Sequence, residues 1–218
     1  MAKKASALPA HAISALVLAG GQGSRMGGVD KGLQPFHGQA LAQHAAQRLW
    51  SSQCVGALAI SANRHLPTYA AFGWPVLPDA VAGYQGPLAG FLAGWSHCRT
   101  PYLLTIPCDT PLFPHDLVQH MAATLQSQGA RIAIACAPES PTQPELRRQP
   151  AFCLMHCSVA DDLREFVRDG GRKIGAWTQR HPLALVPFNR PQDNPWAFTN
   201  VNTLDELHAL ECRADPRA

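Results

Sequence analysis

A short apolar run, Ile13–Leu18, leads straight into Leu18-Ala19-Gly20-Gly21-Gln22-Gly23-Ser24-Arg25-Met26-Gly27-Gly28-Val29-Asp30-Lys31-Gly32. This junction constrains the fold more than any other feature of the chain. A six-residue apolar run bounded by glycine reads as a buried strand. The glycines after it let backbone N–H groups converge with no Cβ in the way. Converging amides make an anion-binding concavity, with Arg25 and Lys31 as counter-charges. Two familiar phosphate loops do not fit. A Walker A loop requires Lys-Ser/Thr after its last glycine, where Val29 and Asp30 stand, and a dinucleotide fingerprint requires a third glycine where Met26 stands.

The rest of the chain alternates apolar strand-like runs with helical patterns. Strands are expected at Ile13–Leu18, 55–60, 75–77, 102–106, 131–135, 151–155 and 183–186, and helices at 39–50, 66–72, 87–98, 114–126, 158–168 and 172–179. Pro87 suits the first turn of its helix. Thr203 with Glu206 three residues later forms a capping box for a closing helix. Such alternation predicts a three-layer α/β/α domain with a mostly parallel, Rossmann-like sheet. Ligands then bind beyond the carboxyl ends of the strands. The glycine loop, Ser61-Ala62-Asn63-Arg64, Asp79 and Asp109 each follow a strand, so all fall at that edge. Residues 137–150 hold four prolines and read as an exposed loop.

At 218 residues the chain suits one domain, taken as 13–212, with tails at 1–12 and 213–218. A net charge of +3 suits an anionic substrate, and no dense basic stripe points to nucleic acid. No apolar stretch is long enough to cross a bilayer, and residues 1–12 lack the apolar core of a signal peptide. Seven cysteines with no C-x-x-C pair read as buried free thiols of a reducing cytoplasm. Cys153, His156 and Cys157 lack a second ligand pair at zinc spacing. No histidine falls in a motif that would make it a catalytic base.

The stretch L-A-G-G-x-G-x-R-M-G…D-K resembles the signature of nucleotidyltransferases that make sugar nucleotides. The form with Gly27-Gly28-Val29-Asp30-Lys31-Gly32 is most similar to the molybdenum cofactor guanylyltransferases. The resemblance is dense from residue 13 to about 117, returns at 198–207, and is thin between 137 and 195. It implies the fold of the nucleotide-diphospho-sugar transferases. It also implies transfer of GMP from GTP to molybdenum-molybdopterin, with Mg2+ required and pyrophosphate released. GTP would lie against Leu18, Ala19, Gly20, Gly21, Gly23, Lys31, Ser61, Asn63, Asp79, Gly86 and Asp109. Arg25, Lys31 and Asp109 would carry the chemistry.

Asp109 ends an apolar strand, where a carboxylate suits a hard cation better than a helix cap. Asn200 and Asn202 complete the metal site or simply begin the last helix. Gly86 and Gly90 serve either the nucleoside pocket or tight helix packing. The family's usual Asn two residues before Asn63 is Ser61 here. Gly171-Arg172-Lys173 offers cations to an anionic acceptor or is a solvated helix start. Transient contacts with cofactor-inserting proteins and apo-molybdoenzymes are implied, and no contact with nucleic acid or membrane. Two rivals stay open: a cytidylyltransferase acting on molybdopterin or a sugar or polyol phosphate, and a non-catalytic adaptor that carries the finished cofactor.

Overall fold

The computed structural model of the chain describes residues 8–19, 29–79, 86–138 and 143–214. In chain order the elements are β1 (Ile13–Leu18), β2 (Pro35–Phe36), β3 (Gln39–Ala40), α1 (Leu41–Ser51), β4 (Ala57–Ser61), α2 (Leu66–Ala70), β5 (Val76–Leu77) and α3 (Pro87–His97). They continue with β6 (Tyr102–Pro107), α4 (Leu117–Ser127), β7 (Ile132–Ala137), β8 (Arg147–His156), α5 (Ala160–Arg168), α6 (Ile174–Thr178), β9 (Leu183–Pro187) and α7 (Leu204–Ala214). Residues 10–12, grouped with the tail above, form a 3-10 turn whose Ala12 is buried.

Seven strands form one sheet in the order β5-β4-β1-β6-β8-β7-β9. β1 runs parallel to both β4 and β6, β4 to β5, and β7 to β9, while β8 runs antiparallel to its two neighbours. The central strands β1, β6 and β7 are almost wholly apolar and buried because both faces are covered. Alternate residues of β1 go to opposite layers. Ile13, Ala15 and Val17 join the core with α1 and α4, and Leu16 joins the core with α3, α5 and α6. A third cluster joins Phe36 and Leu41 to Val201, Leu207 and Leu210, fastening the closing helix over the β2–β3 hairpin.

Two expectations are corrected. The strand at 151–155 begins instead at Arg147, inside the segment read as loop. Pro150 misled that reading, since proline lacks the N–H a ladder needs. It is tolerated because the β7–β8 register shifts between Ile134 and Ala135, and Pro150 falls in that irregularity. The helix expected from residue 39 begins at Leu41, because Gln39–Ala40 pairs with Pro35–Phe36. His37 and Gly38 both have positive φ, 49° and 77°, the conformation of a two-residue hairpin turn. Strands this short carry no readable periodicity. The other elements agree with expectation within a few residues at their ends.

Candidate active site

The sheet aligns the strand ends in one row. Leu77 pairs with Ser61, Ser61 with Leu18, and Leu18 with Pro107. Asp79, Asn63 and Asp109 therefore each leave the sheet two residues past that row, and Ala19 leaves one past it. The exits of β4, β1 and β6 are stitched together. The Ala19 N–H donates to the Ser61 carbonyl at 2.8 Å, and the Cys108 N–H to the Leu18 carbonyl at 3.1 Å. Strand order reverses here, since β1 connects outward to β4 and β5 and then returns to β6 on its other side. This is the crevice where open α/β sheets bind ligands.

Lys31, Asp109 and Asn202 meet in this crevice. The Lys31 Nζ donates to Asp109 Oδ2 at 2.7 Å and to Asn202 Oδ1 at 3.0 Å. Their sequence separations are 78 and 171 residues, so only the tertiary fold assembles the group. Lys31 and Asp109 are partly exposed, at 20% and 24% of their side chains, and the pair is open to a ligand. The chain around Asn202 is tied to Asp109 through the backbone, the Val201 N–H donating to the Asp109 carbonyl at 2.9 Å. Thr110 is buried, and its hydroxyl donates to Asn200 Oδ1 at 2.6 Å. The Thr203–Glu206 capping box forms as expected. The Glu206 N–H donates to Thr203 Oγ1 at 3.1 Å, and the Asn202 N–H donates to Glu206 Oε2 at 2.6 Å. Asn202 therefore both abuts the helix start and reaches Lys31.

Cys108, next to Asp109, is buried, and burial first and the Asp109 charge second push its thiol pKa far up. It stays protonated and offers no nucleophile.

A second group forms on the β4–β5 side. Asn63 and Asp79 clasp each other: Nδ2 of Asn63 donates to Asp79 Oδ2 at 2.8 Å, and the Asp79 N–H donates to Asn63 Oδ1 at 2.8 Å. The clasp fixes both chain exits and leaves an exposed polar rim. Gly86 caps the start of α3 with φ +131°, a backbone conformation that favours glycine. Ser61 is buried beneath α3. A Cβ on Gly90 would stand 2.8 Å from Leu18 Cδ2 and 3.2 Å from Ser61 Oγ. Gly90 thus provides the close packing of helix on sheet that one of its two readings expected. Gly20, Gly21, Gly23 and Arg25 lie outside the described residues.

Sequence reasoning missed two supports of the site. Asp30 is buried, and its Oδ1 accepts from the Tyr69 hydroxyl at 2.6 Å and from the Gly32 N–H at 3.2 Å. Helix α1 steadies the loop beyond Asp109: Nε of Arg48 donates to the Phe113 carbonyl at 2.6 Å, and Nε2 of His44 lies 3.2 Å from the Pro111 carbonyl. Desolvation first and Arg48 second lower the His44 pKa, so the ring is neutral and Nε2–H is the donor. The neighbouring Lys31 and the D-K pair were the only signal for Asp30. Tyr69, 39 residues away, gave none.

Elsewhere, Gly171-Arg172-Lys173 lies between α5 and α6, and Arg172 donates to the Val167 and Gly171 carbonyls. All seven cysteines, each among the described residues, are free thiols. Cys108, Cys136 and Cys153 are buried, while Cys157 and Cys212 are exposed. Among the described residues no group of three or more His, Cys, Asp or Glu converges as a metal site. Among the same residues no helix is long and apolar enough to cross a membrane.

Residues 15–185 match the model of the MobA-like NTP transferase domain. The chain is 53% identical over 206 residues to the molybdenum cofactor guanylyltransferase of Albidiferax ferrireducens, covering 94% of this chain and 98% of that one. It is 51% identical over 205 residues to that of Ralstonia nicotianae, covering 93% and 98%. The fold is similar to the crystal structure of molybdopterin-guanine dinucleotide biosynthesis protein A from Archaeoglobus fulgidus, with a TM-score of 0.72, 19% identity, and coverage of 92% and 97%. It is similar also to 4-diphosphocytidyl-2C-methyl-D-erythritol synthase from Anaerococcus prevotii, with a TM-score of 0.71, 9% identity, and coverage of 94% and 98%. With a matched domain over most of its length and half its residues shared with full-length relatives, the chain belongs to the molybdenum cofactor guanylyltransferase family.

Proposed function

We propose that the protein transfers GMP from GTP to the phosphate of molybdenum-molybdopterin, with pyrophosphate as leaving group. One observation carries this reading. In a chain about half identical to named guanylyltransferases, the Lys31 ammonium is held between Asp109 and Asn202 at the switch point of the sheet. An acceptor phosphate oxygen attacks the α-phosphorus of GTP, a P–O–P bond forms, and the bond to the β-phosphate breaks. A phosphate monoester has its second pKa near ~6, so it is already ionised and needs no general base. None of the three side chains that meet there, Lys31, Asp109 and Asn202, is a histidine, which suits that chemistry. What remains is positioning and neutralisation of charge on the transferring group.

Each residue has a part in this reading. The glycine loop with Gly20, Gly21 and Gly23 cradles the triphosphate beyond Leu18 and Ala19. Lys31 and Arg25 neutralise it. Asn63, Asp79 and Gly86 line the nucleoside side, over a floor that includes Ser61. Asp109, Asn200 and Asn202 offer hard oxygen atoms, and two of them already converge on one cation, the Lys31 ammonium. That donor set fits Mg2+, which takes one or two carboxylates plus phosphate oxygens. Bound there with the nucleotide, the ion would add charge neutralisation to that of Lys31. The acceptor enters from the side of Gly171-Arg172-Lys173. The proposed setting is the cytoplasm, with transient hand-over to cofactor-inserting proteins or apo-molybdoenzymes.

Bound ligand stabilises the folded state, so GTP with magnesium is expected to raise Tm and CTP to leave it nearly unchanged. Stabilisation by CTP alone would replace GTP in the reading. Pyrophosphate release from GTP upon adding molybdopterin acceptor tests the transfer itself. Nucleotide binding with no release would favour the adaptor.

A further inference from the structure

Asp30, one residue before Lys31, is a carboxylate only 7% exposed. One of its oxygens, Oδ1, takes both the Tyr69 hydroxyl at 2.6 Å and the Gly32 N–H at 3.2 Å. Its carbonyl accepts from Gln34 Nε2 at 3.0 Å. Tyr69 lies on α2, is fully buried, and packs edge-on against Phe72. The 3-10 turn Lys31–Leu33 is thereby pinned on both sides of Lys31. Gly32 is pressed into the same place: a Cβ there would stand 2.3 Å from the Tyr69 hydroxyl and 3.2 Å from Ala19 Cβ.

A buried carboxylate is costly unless well hydrogen-bonded. Capping a three-residue turn does not call for one, because an exposed Ser or Asn serves as well. The arrangement instead fixes the backbone from which the Lys31 side chain reaches Asp109 and Asn202. Burial first and the Asp30 bond second raise the Tyr69 pKa well above its ordinary value, so the phenol remains the donor.

We propose that Asp30 and Tyr69 are positioning residues that hold the Lys31 ammonium in register with Asp109 and Asn202. The proposal rests on the reading of Lys31 as the cation that neutralises the transferring phosphates. A misplaced cation is felt mainly in the transition state, so kcat should fall while KM for GTP stays nearly constant. Displacement of a catalytic group by about 1 Å can cost ~100-fold.

The test compares four variants of the full chain by steady-state pyrophosphate release and thermal unfolding. Tyr69→Phe keeps the ring and removes the pin, and kcat is expected to fall about tenfold or more with KM for GTP nearly unchanged. Asp30→Ala should lose at least as much. Asp30→Asn keeps an Oδ1 that can accept both bonds, and should recover most of what Asp30→Ala loses. A Tyr69→Phe enzyme with a lowered Tm but the parent kcat would overturn the proposal and leave a purely structural role. So would an Asp30→Asn enzyme no better than Asp30→Ala, since charge and not geometry would then matter. Lys31→Ala separates the two levels. If it turns over normally, the reading of Lys31 itself fails; if it is inactive while Tyr69→Phe is normal, only the positioning proposal fails.

Discussion

Two carboxylates of this molecule, Asp109 and Asp162, are nearly equally exposed at 24% and 25%, and both face cations. Their surroundings differ in ways that exposure does not report. Asp162 opens α5, and three donors from α6 and just beyond it satisfy its oxygens. Trp177 Nε1 donates to Oδ2 at 3.0 Å, His181 Nε2 lies 2.9 Å from Oδ2, and Arg180 donates to Oδ1 at 2.5 Å. All three lie within 19 residues of it in the chain. Among the described residues, Asp109 holds one strong cation, 78 residues away, and its Oδ1 lies 3.4 Å from a Thr110 hydroxyl that donates to Asn200. One carboxylate is saturated by local partners and clamps two helices. The other has, among the described residues, fewer partners and sits at the strand ends of the switch point. Spare coordination at a sheet edge, among the described residues, is what sets the proposed ligand Asp109 apart from Asp162.

The largest expected effects break this comparison most directly. Lys31→Ala and Asp109→Ala should each lower kcat by roughly 100- to 1000-fold, the scale of removing a preorganised charge-stabilising group, while the protein stays folded. Asp162→Ala should do the reverse. It strands the indole N–H of fully buried Trp177, at a cost of about 1–3 kcal/mol, seen as a Tm lowered by several degrees. Its kcat per folded molecule should match the parent. If Asp162→Ala instead lost turnover at unchanged Tm, or Asp109→Ala lost only stability, the contrast would be inverted.

A smaller effect sharpens the site from within. Asn202 touches Lys31, whereas Asn200 touches Thr110. Asn202→Ala is expected to lower kcat about 10- to 100-fold, as loss of a ligand-orienting partner does, and Asn200→Ala by less. Equal losses would mean that both oxygens act on the same bound cation.

Much of this was readable before any coordinates. Alternating runs called for a parallel sheet, and glycine after Leu18 with Asp109 after the β6 run placed ligands at one edge. Local patterns report local structure well, as the Thr203–Glu206 box shows. What was not legible depended on distance or on exceptions. That Asn202 reaches the crevice as well as abutting the helix start rests on a bond across 171 residues, which no spacing encodes. Nothing in the helix expected at 66–72 set Tyr69 apart, although its hydroxyl is committed to Asp30. Pro150 argued against a strand until the register shift opposite it removed the need for its N–H.

The smallest expected effect is a pH dependence that tests how α1 supports Asp109. His44 is depressed below its ordinary 6.5, by burial first and by Arg48 second, with His37 and His115 adding to the same direction. Its Nε2–H holds the Pro111 carbonyl, two residues beyond Asp109. A histidine kept neutral in the fold takes up its proton more readily once unfolded. The folded state therefore carries no penalty above about pH 6.5 and loses stability as pH falls from there through the lowered folded value. His115, His120 and His156 are shifted in the same direction, so the whole chain should lose Tm between pH 7.5 and 5. His44→Gln, which keeps a donor for the Pro111 carbonyl but cannot charge, should flatten part of that slope while costing little at pH 7.5. A slope unchanged by the substitution would mean that protonation of His44 is not what destabilises the fold at low pH.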